Sequence, residues 1–108
     1  MIDFEKIEGF DWDAGNDRKS ADKHQVSQAE VEQVFFNVPL VFAPDVKHSQ
    51  TEPRFHALGK TTAGRLLHLT FTLRFDVRKI RPISARAMHR KERRVYEKQA
   101  QITTEIQN

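Results

Sequence analysis

The sequence contains no cysteine, which removes disulfides, thiolate zinc sites and cysteine nucleophiles together. It holds no apolar run approaching the roughly 20 residues that cross a bilayer, and its acidic, polar start lacks the basic beginning and apolar middle of a signal peptide. The cytoplasm is therefore the expected location, with no membrane partner. Internal repeats and low-complexity segments are absent. No carboxylate pair or histidine cluster has metal-ligand spacing, so neither a metal site nor a cofactor is expected. Stability has to come from packing one modest core, because 108 residues make one domain.

What is present suits a compact chain: 38% hydrophobic and 31% charged residues lie well away from the profile of a disordered one. The net charge of +3 conceals a division of sign. Residues 1–52 hold five Lys or Arg against eleven Asp or Glu, and residues 53–108 hold thirteen against four. Between Arg78 and Lys98 there are nine basic and two acidic residues. That density suits a polyanion through phosphate contacts and counterion release, although a solvated helix face has the same composition.

Local patterns give an order of elements. Phe10-Asp11-Trp12-Asp13 alternates ring and acid, the period of a short strand with one buried face. Polar helix formers run from Ala14 to His24. Ser27 and Glu30 have capping-box spacing, with Val26 and Val31 placed as a hydrophobic staple, and the helix that follows puts Val31, Val34 and Phe35 on one face before Asn37 and Pro39 stop it. Leu40-Val41-Phe42 reads as a strand halting at Pro44-Asp45, and a polar loop runs from His48 to Pro53. Arg54–Lys60 and Arg65–Arg74 flank a turn at residues 61–64 whose Gly64 supports a positive φ. A third strand, Val77–Ala85, contains Pro82, which implies an edge or a bulge. From Arg86 helix formers dominate, with Met88 and Val95 on one face and Arg90, Arg93 and Arg94 on another. Residues 1–98 are expected as the domain and 99–108 as a polar tail. The expectation is an α+β fold, a small antiparallel sheet packed with N-terminal helices and a C-terminal basic helix.

These residues resemble a known family, the BrnT toxins. The resemblance is carried by Phe10 to Asp13, Lys23-His24 with Val26, and Val34-Phe35 leading to Pro39. It continues through Asp45, Glu52-Pro53-Arg54, Leu58-Gly59, Gly64-Arg65, Ile80 to Arg86, and Glu92 through Tyr96. Two positions depart from it: Gln25 stands where the family often has glycine, and Pro82 where a β-branched residue is expected. The resemblance implies a RelE-like fold and ribonuclease activity. It also implies a BrnA-like ribbon-helix-helix antitoxin in a 2:2 complex that binds operator DNA through the antitoxin.

Metal-free RNA cleavage by the substrate's own 2′-hydroxyl needs a proton acceptor, charge stabilisation at phosphorus and a proton donor. Arginine suits the middle role through its planar, permanently charged fork. Arg54, Arg81 and Arg86, in or at the end of expected strands, are the candidate phosphate ligands. Lys23 and His24 occupy a matched family position where an imidazole would move a proton. Tyr96 becomes a general acid if Arg93 or Arg94 lowers its pKa. Arg78, Lys79, Arg90, Lys91, Arg93 and Arg94 are the expected RNA contacts. His56 and His68 read as structural. The alternative is a non-catalytic basic module that binds nucleic acid or protein. The discriminating feature is whether Arg54, Arg81 and a proton-transfer group gather around one phosphate-sized space.

Overall fold

The computed structural model describes residues 4–48 and 51–107, with side chains through residue 101. Residues 49 and 50 of the expected polar loop and Asn108 of the expected tail lie outside the described residues. In chain order the elements are β1 (Gly9–Phe10), α1 (Lys19–His24), α2 (Gln28–Phe36), β2 (Val41–Pro44), β3 (Arg54–Lys60), β4 (Leu66–Arg74), β5 (Lys79–Ala87) and α3 (Arg90–Gln107). They form one five-stranded sheet in the order β1-β5-β4-β3-β2.

The helix start at Ser27 forms as its spacing predicts. Ser27 Oγ accepts from the Glu30 N–H, and the Glu30 carboxylate accepts from the Ser27 N–H. Val26 and Val31 on either side of this cap are both buried. They meet Val34, Ala57, Leu67, Leu69, Phe71, Ile80 and Ala85 to make the core, with Phe10, Trp12 and Phe35 packed against it. The register explains this, because Ala57↔Leu69↔Ala85 lie directly across from one another and so share a face. At Gly59 the helix comes so close that an added Cβ would stand 2.5 Å from Val34 Cγ1. Gly64, at φ +89°, closes the β3–β4 hairpin as expected.

Gln25 has φ 56° in the left-handed region at the C-terminus of α1, which gives the physical reason for glycine at this position. Pro82 sits at the expected bulge: Thr70 pairs Ser84 and Phe71 pairs Pro82, leaving Ile83 as the extra residue. Among the described residues, no strand pairs the outer flank of β5 beyond Ile80. Buried Asn16 donates to Pro82 O at 2.8 Å, and Ser20 Oγ accepts from Ala85 N at 2.8 Å.

Three expectations need correction. The sheet is mixed rather than antiparallel, because β1 runs parallel to β5 through Gly9↔Lys79 and Phe10↔Ile80. The long connection through α1 and α2 is what allows a parallel neighbour. The third strand spans Lys79–Ala87 rather than Val77–Ala85: Phe75, Asp76 and Val77 form a left-handed turn, and Arg86 and Ala87 still pair with β4. The last helix therefore begins at Arg90 and continues to Gln107 through the residues expected as a tail. Its buried face carries Tyr96, whereas Val95 is 55% exposed. Among the described residues no helix is long and apolar enough to cross a membrane.

Candidate functional site

The sheet face opposite the core is polar, and strand pairing arranges it in rows. Arg54, Thr72 and Arg81 form one row, His56, Thr70 and Ser84 the next, and Leu58, His68 and Arg86 a third. Directly paired residues project to the same side. Three short strands thus bring Arg54, His56, His68 and Arg86 onto one surface, over which the first turn of α3 folds back.

His56 is held at both ring nitrogens. Its Nε2 lies 3.1 Å from Asp45 Oδ2 and its Nδ1 lies 3.3 Å from Thr70 Oγ1. A carboxylate facing Nε2 calls for the proton there, leaving Nδ1 to accept from the Thr70 hydroxyl. Asp45, buried in the turn after β2, also accepts from His48 Nδ1 at 2.9 Å. Burial pushes the Asp45 carboxyl up, but the His48 hydrogen bond and the nearby His56 outweigh it and hold the group below its ordinary value.

The His68 ring centroid is 4.9 Å from that of His56. Burial, reinforced by the positive charge of Arg86, lowers the His68 pKa to about 4, so the ring is neutral at physiological pH. Arg86 forms a two-pronged pair with Glu92 of α3, at 2.8 and 3.0 Å. Those hydrogen bonds, with a further one from the His89 N–H, bring Glu92 down to about 2. The cluster therefore combines a fixed cation, a fixed anion and two adjacent imidazoles.

The expected site residues divide between this face and other places. Arg54 and Arg86 belong to it. Arg81 shares the outer row, but its guanidinium is gripped by Asp11 at 3.2 Å and by Asp13 through two bonds of 3.0 Å. The Asp13 hydrogen bonds raise its pKa further. The acidic positions of the Phe10–Asp13 segment are thus the partners of Arg81. Lys23 and His24 end α1, which packs along β5; there Arg65 caps the carbonyls of His24 and Gln25. Tyr96 is buried, and its hydroxyl donates to Pro39 O at 2.8 Å. Burial raises its pKa, the opposite direction to the lowering by Arg93 or Arg94 that a general acid requires.

The basic stretch is also divided. Arg90, Lys91, Arg93 and Arg94 are exposed on α3. Arg78 pairs with Glu8 at 3.8 Å and Lys79 lies over the Phe75 ring. These two sit at the far end of β5, about 24 Å from Arg86 at strand rise. His56 and His68 read as structural in the sequence because the groups they meet are distant in the chain: Asp45 lies eleven residues before His56, His68 twelve after it, and Glu92 twenty-four after His68. The one available signal was their position on the non-core phase of β3 and β4.

Among the described residues, no group of three or more His, Asp or Glu is arranged to hold a metal ion. No curated protein matches the chain. A family model does, over residues 12–92, described as the ribonuclease toxin BrnT of type II toxin–antitoxin systems. The matched region runs from Trp12, beside the carboxylates that hold Arg81, to Glu92, which holds Arg86, and on that match the chain belongs to the BrnT family of ribonuclease toxins.

Proposed function

We propose that this chain cleaves RNA without a metal, on the polar sheet face around His56, His68, Arg54 and Arg86. The observation that carries the reading is the pair of adjacent imidazoles, His56 in the row between the two arginine-bearing rows and His68 beside Arg86 in the next. In the step, one imidazole takes the proton of the substrate 2′-hydroxyl as its oxygen bonds to phosphorus. The bond from phosphorus to the 5′-oxygen breaks, and that oxygen receives a proton from solvent, to which the imidazolium returns its own. Products are a 2′,3′-cyclic phosphate and a 5′-hydroxyl. Arg54 and Arg86 stabilise the charge that grows on the phosphoryl oxygens.

His56 is the proton-transfer group of choice: Asp45 fixes the ring through Nε2, and the substrate hydroxyl takes the place of the Thr70 hydroxyl at Nδ1, the nitrogen that accepts a proton. His68, neutral beside it with its pKa lowered to about 4, packs against the His56 ring and leaves the proton transfer to His56. Glu92 positions Arg86, and Asp11 with Asp13 gives Arg81 the role of anchoring the amino-terminal segment to β5. Arg90, Lys91, Arg93 and Arg94 attract the RNA backbone. Lys23, His24 and Tyr96 have no part in the reaction in this reading. The layering, with α2 on one side of the sheet, α1 along its β5 edge and α3 crossing the other side, supports the RelE-like comparison.

Family membership implies an antitoxin. A BrnA-like ribbon-helix-helix antitoxin in a 2:2 complex, binding operator DNA through its own dimer, fits the exposed basic helix as the surface it would cover. The testing experiment incubates the purified chain with RNA in a chelating buffer and examines the fragment ends. Cyclic phosphate ends support the reading. Intact RNA, or cutting that appears only when magnesium is restored, contradicts it.

A further inference from the structure

Between α3 and β2 lies a groove of about 270 Å³ whose floor is the His56 and His68 pair and whose walls are Val41, Ala43, Leu58 and Val95. Its walls are carbon, its floor is aromatic and polar, and it opens directly onto the cluster described above. We infer that this groove is a nucleobase subsite, which seats one base of single-stranded RNA beside the bond to be cut and gives the enzyme its base preference. This inference rests on the RNA-cleaving reading of the same face.

Three observations choose this occupant. The volume lies just under the usual range of small-ligand pockets, about 300–1,000 Å³, which suits one planar ring system. Single-stranded RNA is read by stacking unpaired bases on aromatic side chains, histidine included, and the groove offers the His56 and His68 imidazoles. The charge also fits. Val95 stands 55% exposed on α3, and Lys91 and Lys98, four residues before and three after it, are its neighbours on the helix surface. Both lysines are exposed. A base in the groove would leave its phosphate toward them on one side and toward Arg86 on the other. Glu92, at the same rim, supplies an acceptor for an exocyclic amino group.

The test titrates the whole chain with each of the four nucleoside 3′-monophosphates and with inorganic phosphate, following Val95, Val41 and His68 by NMR. The nucleotides should shift all three residues where phosphate does not, with about a fivefold or larger spread of affinity among the bases. Val95→Glu and Val95→Ser, at an exposed position, should keep the fold and abolish that spread. Equal shifts by nucleotides and phosphate, or a groove that answers to no nucleotide, would overturn the inference. Cleavage is read separately. A chain that discriminates bases in binding but leaves RNA intact defeats the ribonuclease reading alone, whereas one that cuts with no base preference and unmoved Val95 defeats the subsite alone.

Discussion

Arg86 and Glu92 are joined by two parallel hydrogen bonds, Nη1 to Oε1 at 2.8 Å and Nη2 to Oε2 at 3.0 Å, which lock the end of β5 to the first turn of α3. This pair and its neighbour His68 set the response to acid. Glu92, held at about 2 against an ordinary 4.5, contributes stability that is complete above about pH 4.5 and is lost as pH falls toward 2. His68, neutral in the fold with a pKa of about 4 against 6.5, is protonated first in the unfolded chain, so stability also falls between pH 6.5 and 4. Urea midpoints measured across pH should decline in these two stages. Glu92→Gln should remove the lower stage and His68→Gln the upper. A midpoint that is level from pH 6.5 to 4 would contradict the His68 environment.

Arg81 and Arg54 share a row of the sheet and should nonetheless separate on mutation. Arg81→Ala leaves two carboxylates without their cation and should cost about 1–3 kcal/mol of stability. The folded fraction should cleave RNA at a rate within an order of magnitude of the parent. Arg54→Ala should lose on the order of a hundredfold in rate. Denaturation and single-turnover cleavage on both variants check this; a large rate loss confined to Arg81→Ala would reverse the assignment.

Tyr96→Phe deletes one buried hydrogen bond, to Pro39 O, and should cost about 0.5–1.5 kcal/mol. Cleavage by the folded variant should change little. A hundredfold loss of rate at unchanged stability would return Tyr96 to the chemistry.

An antitoxin that silences this face has to shield both the histidine pair and the basic helix. Amide exchange of free and antitoxin-bound toxin should show protection over β5 and α3, within Arg78 to Lys98. Protection confined to the first 40 residues would refute that masking model.

How far the sequence foretold these features depends on the range of the interaction. Local chemistry was legible: the Ser27–Glu30 cap, the Gly64 turn and the Pro82 bulge each depend on residues within a few positions. The parallel contact of β1 with β5 spans about seventy residues and leaves no periodic trace, so the sheet was expected to be purely antiparallel. The same holds for the site. Arg54 and Arg86 were found as strand-borne cations, but Arg81 could not be seen to meet Asp11 and Asp13, seventy and sixty-eight residues earlier. His56 and His68 looked structural one at a time, because only the β3–β4 register brings their rings together and Asp45 to one of them. Val95 does not share a buried face with Met88 because Met88 precedes α3, which starts four residues later than its composition suggests.

In the proposed mechanism His56, seated between Asp45 and Thr70, moves a proton during RNA cleavage. The measurement that tests it most directly is the initial rate of cleavage in chelating buffer for the parent chain and for His56→Gln, with circular dichroism confirming that both are folded. The account predicts a parent that cuts under chelation and a variant at least about a hundredfold slower. Equal rates, or a parent that cuts only when a divalent metal is restored, would contradict it.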